Sequence, residues 1–116
     1  MSHVKVIVGG TMEDDAADLL DAWHRTAGGE HVAAERVLAF ESWEGLSNVL
    51  TGERFRLLRH VHDSPAPSIS ALARALGRQY SRVHADVVAL EAVGLIARTD
   101  GALRVTTDRI TADIRL

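Results

Sequence analysis

Five consecutive residues, Arg78-Gln79-Tyr80-Ser81-Arg82, gather two guanidinium groups, an amide, a phenol and a hydroxyl at one point of the chain. A guanidinium presents a planar fork of donors that matches a phosphate or the O6/N7 edge of guanine. Two further arginines, Arg98 and Arg104, flank the dipeptide Asp100-Gly101. The chemistry these groups suit is recognition of a polyanion rather than the making or breaking of a bond. The charge balance points the same way. Every basic residue after position 50 is Arg, ten of them against seven acids, whereas residues 1–50 carry three bases against nine acids. The formal net charge of −3 therefore hides two halves of opposite sign, which suggests two separate tasks.

Other reactive residues form weaker patterns. There is no Cys, which excludes disulfides, a thiol nucleophile and any Cys-ligated metal. His60 and His62 are two apart, so on a helix they diverge, and a position near a helix C-terminus explains them through the dipole. His84, close to Asp86 and Glu91, is read as hydrogen-bonded to a neighbour, with a pH-sensitive contact as the other reading. Gly9-Gly10 lacks the Lys and further glycines of a phosphate loop. Glu13, Asp14, Asp15, Asp18 and Asp21 read as a solvated helix face. With no nucleophile, base and orienting group in view, no catalytic residue, metal or cofactor is expected, and the chain is expected not to be an enzyme.

These groups need elements to position them. The 116 residues are 47% hydrophobic and 25% charged, enough apolar material for a core, which with 4% aromatics must be largely aliphatic. His3 to Val8 alternates weakly and ends at Gly9-Gly10, so it reads as a strand. Thr11 caps an expected helix with Met12, Ala16, Leu19, Leu20, Trp23 and Ala27 on one face, closed by Gly28-Gly29. Arg36 to Phe40 reads as a second strand, and Ser42 as the cap of a short helix with Trp43, Leu46, Val49 and Leu50. From Thr51 a helix carries Phe55, Leu57, Leu58 and Val61 to about Asp63. Ser64-Pro65-Ala66-Pro67 is a stiff loop. Ser68 caps a helix with the stripe Ile69, Leu72, Ala73 and Leu76, which Gly77 stops. Another helix follows, with Val83, Val87 and Leu90 facing inward, ended by Gly94. Leu95 to Arg98 and Leu103 to Thr107 are strand-like around the Asp100-Gly101 turn. Ile110, Ala112, Ile114 and Leu116 alternate to the end as a last strand, whose edge an N-terminal strand could pair with, in the same chain or a second copy.

Residues 68–107 thus give a short helix, a tight turn, a longer helix and a two-stranded wing. The spacing is that of a helix-turn-helix, whose second helix can enter the DNA major groove. Ala73 is small where the second helix crosses, Gly77 allows the turn, and Val83 seats the second helix. At 100° per residue, Ser81, Arg82, Ala85, Ala89 and Ala92 then lie outward. Arg82 is placed to read guanine or hold a phosphate. Gln79, Tyr80 and Ser81 stand at the helix start, where orphan N–H groups attract phosphate. Arg78 reaches the backbone from the turn, and Ser68 is counted with these contacts. Arg98 and Arg104 lie on the wing. Its acidic tip argues against tip insertion and leaves Arg104 as the wing contact.

The segments SISALARALGRQYSRVHADVVALEAVGLIARTDGALRVTTDRI and FESWEGLSNVLTGERFRLLRHV resemble the winged-helix domain of MarR-like transcriptional regulators, and one small branch of them in particular. Some members of that branch resemble antitoxins encoded beside a toxin. The resemblance implies an α+β fold, a winged helix-turn-helix domain over residues 51–116 with an N-terminal strand-helix-strand arm over residues 1–50, and sequence-specific binding of double-stranded DNA by an autoregulating repressor. Two alternatives stay open: an antitoxin that also binds a toxin protein, and a winged helix used only for protein contact. A homodimer is expected, with Val4, Val6, Val8, Leu19, Leu20, Trp23, Ile114 and Leu116 at its interface. No apolar run approaches the ~20 residues that span a bilayer, and no secretory signal is seen at the start, so a cytoplasmic protein without a membrane partner is expected.

Overall fold

The computed structural model describes residues 2–9 and 35–116, which form an α+β structure in two compact units. One unit comprises Met1–Ser47 with Thr107–Leu116, the other Asn48–Thr106. The helix expected over residues 11–27, and with it Leu19, Leu20 and Trp23, lies outside the described residues. Among the described residues, no helix is long and apolar enough to cross a membrane.

Among the described residues, the first unit is built on a three-stranded sheet. β1 (His3–Val8) is its centre, flanked by β2 (Glu35–Phe40) and β5 (Arg109–Ile114). Both pairings are parallel, with His3 level with Glu35 on one side and with Arg109 on the other. Parallel neighbours need a long crossover, and both gaps in sequence supply one. A central parallel strand is covered on both faces, which explains the apolar run Val6-Ile7-Val8 and the weakness of its alternation. Val4, Val6 and Val8 on one face and Ile7 on the other are all at most 2% exposed.

Two expectations are corrected here. Val4, Val6 and Val8, expected at a dimer interface, are buried in the single chain and offer nothing to a partner. The C-terminal strand, expected in the second domain, pairs with β1 and belongs to the first unit. Ile114 and Leu116, by contrast, are exposed. The chain re-enters the first unit at Thr107, a buried residue whose hydroxyl donates to the Ser2 carbonyl.

Gly9 closes β1 against both neighbours. Its N–H donates to the Phe40 carbonyl at 3.0 Å, while Arg115 N–H donates to the Val8 carbonyl at 2.9 Å. Its φ is +78°, and a Cβ there would stand 2.8 Å from the Arg115 carbonyl oxygen. Gly9→Ala therefore combines left-handed strain, ~1–2 kcal/mol, with a clash against backbone. We expect urea unfolding to show a loss of about 2 kcal/mol or more; an unchanged midpoint would contradict this close approach.

After β2 comes α1 (Trp43–Val49), and the second unit then holds α2 (Gly52–Asp63), α3 (Ile69–Leu76) and α4 (Tyr80–Ala92), followed by the hairpin of β3 (Ile96–Thr99) and β4 (Ala102–Val105). α1 begins in the first unit and ends in the second. Thr51 and Ser68 cap α2 and α3, accepting from the N–H groups of Arg54 and Ala71. α3 ends at Gly77, φ +65°, where Gly77 N–H bonds to the Arg74 carbonyl and Arg78 N–H to the Ala73 carbonyl, the Schellman pattern. The core joins Leu57, Leu58 and Val61 of α2, Ile69, Leu72 and Ala73 of α3, Val83, Val87 and Leu90 of α4, and Leu95, Ile96 and Leu103 around the hairpin. Asp100 and Gly101, at φ 52° and 83°, make the two-residue turn that aligns Thr99 with Ala102.

The loop between α2 and α3 does more than the stiff connection expected of it. Ala66 forms a bridge with Leu103, its N–H donating at 3.2 Å and its carbonyl accepting at 2.7 Å. Pro65 and Pro67 have no N–H, so Ala66 alone between them can make both bonds.

Candidate nucleic-acid interface

α4 divides cleanly. Val83, Val87 and Leu90 are fully buried, and the opposite side presents Ser81, Arg82, Ala85 and Ala92 to solvent, with Ala89 half-buried. Gln79 is the N-cap residue but makes no side-chain cap, so its amide is not used by the helix, and no acid stands in the first turn to oppose an incoming anion. Tyr80 is 51% exposed and its ring lies 5.9 Å from that of His84. His84 thus packs on an aromatic neighbour. Asp86, half-buried, turns to arginines instead.

Arg82 and Arg104 are exposed and make no ion pair among the described residues. Arg104 sits on β4 opposite Ala97, pointing away from the buried side occupied by Leu103. Beside the turn, a groove of about 470 Å³ is lined by Ser70, Ala73, Arg74, Gly77, Arg78 and Tyr80.

Three of the residues expected to touch DNA have other work. Arg78 is mostly covered: its Nη2 lies 2.9 Å from Asp86 Oδ2, out of hydrogen-bond alignment, and its Nε lies 3.7 Å from Glu53 Oε2. It ties the turn to α4 and α2 and is not offered to a phosphate. Arg98 is held by Glu91 across the end of α4; that hydrogen bond, ahead of the charge of Glu91, raises its pKa above the ordinary guanidinium value. Ser68 spends its hydroxyl oxygen on the Ala71 N–H at 3.0 Å.

Sequence reasoning missed Arg54. Its Nε donates to Asp86 Oδ1 at 3.0 Å, and its Nη1 donates to the carbonyls of Asn48 and Val49, at 3.0 and 2.8 Å. These are carbonyls at the C-terminal end of α1, where a cation is favoured. The clue in the sequence was an acid, Asp86, one position ahead of Val87 on the inward-leaning side of an otherwise apolar stripe.

The comparisons with known proteins fall on this region. The family model HVO_A0114 matches residues 49–112, more than half of the chain, covering α2, α3, α4, the hairpin and most of β5. The chain belongs to the HVO_A0114 family. The matched span of this HVO_A0114 member contains the turn at Gly77, the whole of α4, and Arg82 and Arg104. No curated protein and no solved structure matches the chain.

Proposed function

We propose that this protein is a winged helix-turn-helix DNA-binding regulator of the MarR-like kind, in which α4 is the recognition helix and the β3–β4 hairpin the wing. The observation that carries the reading is the outward face of α4. Ser81, Arg82 and Ala85 are exposed opposite a fully buried stripe, behind a left-handed turn at Gly77. The small Ala85 and Ala92 let the helix axis approach a groove floor, and Arg82 has its guanidinium free to pair with guanine or a phosphate. Arg104 adds a backbone contact from the wing. Bound as a dimer to its own promoter, such a protein excludes polymerase, and the arginines supply the salt-dependent part of the affinity.

The test is titration of the protein's own promoter fragment against a scrambled duplex. Arg82→Ala is expected to weaken the promoter complex by ~1–3 kcal/mol and to relax the preference at one base pair. Arg104→Ala is expected to weaken both duplexes alike and to flatten the salt dependence. Equal affinity of the parent for both duplexes, or an Arg82→Ala variant that binds the promoter like the parent, would overturn the base-reading role.

A second reading has an observation of its own. Tyr80 and Val88, 51% and 45% exposed, add apolar area to α4, which suits contact with another protein, as in an adaptor. A parent protein that ignores its promoter at low salt would favour it. The antitoxin reading places the toxin contact on the acidic segment Glu13–Asp21, outside the described residues.

A further inference from the structure

β5 is an edge strand, and its charges are self-complementary. Among the described residues its only strand neighbour is β1. Arg115 N–H bonds to the Val8 carbonyl, so by the alternation of a strand the backbone groups of Thr111 and Asp113 face β1, and those of Ile110, Ala112 and Ile114 face the open edge. Among the described residues nothing pairs with this edge, and Arg109–Ile114 contains no Pro, no Lys and no bulge. Ile114 is 48% exposed.

We propose that β5 pairs antiparallel with β5 of a second copy, about a two-fold axis through Thr111, to make one six-stranded sheet. Three observations choose this occupant and this register. The axis falls at a residue whose own backbone bonds are turned inward to β1, as a non-hydrogen-bonded pair requires. Ile110 and Ala112 of one copy then meet Ala112 and Ile110 of the other as hydrogen-bonded pairs. Finally, Arg109 of each copy stands opposite Asp113 of the other, in the close type of pair where opposite charges stabilise most. Moving the axis to Ala112 would set Arg109 against Arg115, and moving it to Asp113 would set two carboxylates face to face. Arg109 is exposed, and Asp113 has a side chain 41% exposed, with Arg115 Nη2 3.5 Å away as an additional cation for the same carboxylate. Thr111, at the axis, is held by His3 Nε2 at 2.7 Å, so its side chain is already ordered.

The pairing rests on the dimer in the proposed function but not on DNA, and its test is separate. Sedimentation of the full chain at micromolar concentration is expected to give a dimer. Arg109→Asp and Asp113→Arg should each weaken it about tenfold or more, because each sets like charges opposite one another twice. The double variant R109D/D113R should restore it. Ala112→Pro removes an N–H that faces only the open edge, and should leave a folded monomer; it decides the matter if a charge variant does not fold. A parent that stays monomeric, a double variant no better than its folded single variants, or a dimeric Ala112→Pro would overturn the pairing. Binding of a single half-site by the monomeric variants would show the DNA reading intact on its own. A dimeric parent that ignores its promoter would remove that reading and leave the pairing standing.

Discussion

Leu90→Ala is expected to lower the stability of the second unit by ~2–5 kcal/mol, the range for removing a buried leucine and leaving a cavity. Leu90 is fully buried at the third position of the inward stripe of α4, and it also anchors the end of that helix. Its carbonyl accepts from Leu95 N–H at 3.0 Å, while Gly94 N–H bonds to the Glu91 carbonyl at the same distance. This is again the Schellman pattern, which brings the apolar residue after the turn onto the last turn of the helix. Leu95 is fully buried too. The hole would therefore open where α4 passes into the hairpin, and the arrangement of Arg82 and Arg104 would loosen with it. Urea unfolding, with the slope held equal to that of the parent, reads the loss. A shift of the midpoint worth less than about 1 kcal/mol would mean that the site collapses around the smaller side chain, or that Leu90 is not in the core. Leu90→Met, which conserves volume, should cost under ~1.5 kcal/mol and serves as the control.

The sequence made the elements of the second unit legible because their signals are local. Thr51 and Ser68 cap, Gly77 and Asp100-Gly101 turn, and the 3.6-residue stripe of Val83, Val87 and Leu90 leaves only one side of α4 for Ser81, Arg82 and Ala85. What escaped was whatever depends on distant partners. β1 and β5 each alternate, and pairing of the last strand with an N-terminal strand is foreseeable, but nothing in either says that the pairing is parallel or that it falls within one chain rather than between two. The burial of Val4, Val6 and Val8 follows from that pairing, so an apolar strand face looks available in the sequence when it is not. Ala66 is unremarkable in composition, and its bridge depends on Leu103 having an unpaired side. Arg78 reads as a DNA contact because an arginine in a turn has no local partner. Its carboxylates are Asp86, two turns along the next helix, and Glu53, on α2. An exposed arginine and a structural one look identical until the packing of three helices is known.

The last expected result concerns that packing. Asp86 is 13% exposed and faces two arginines, Arg54 from α2 at 3.0 Å and Arg78 from the turn at 2.9 Å, both with side chains about 20% exposed. Asp86→Ala leaves both cations partly buried with their shared counter-charge gone. The penalty for stranding a buried charge is ~3–5 kcal/mol, and partial access of water to all three groups brings the expected loss to about 2–4 kcal/mol. Arg54 still holds the carbonyls of Asn48 and Val49, so α2 keeps its tie to the end of α1. The ties that disappear are those of Asp86 to Arg54 and to Arg78, which leaves Arg78 with only the more distant Glu53, at 3.7 Å, to hold the turn before α4. Arg78 Nη1 is already buried without a hydrogen-bond partner among the described residues, and removing Asp86 makes that group harder to satisfy. The readout is therefore double. Unfolding should show the loss of stability, and on the proposed function promoter binding should fall even where the variant is fully folded, because the Gln79–Arg82 segment is no longer held in place. Replacing Arg54, Arg78 and Asp86 together with apolar residues of similar size should recover much of the stability. Asp86→Ala with the parent's unfolding midpoint would mean that the apolar stripe alone seats α4 and that the three charges contribute nothing to its placement.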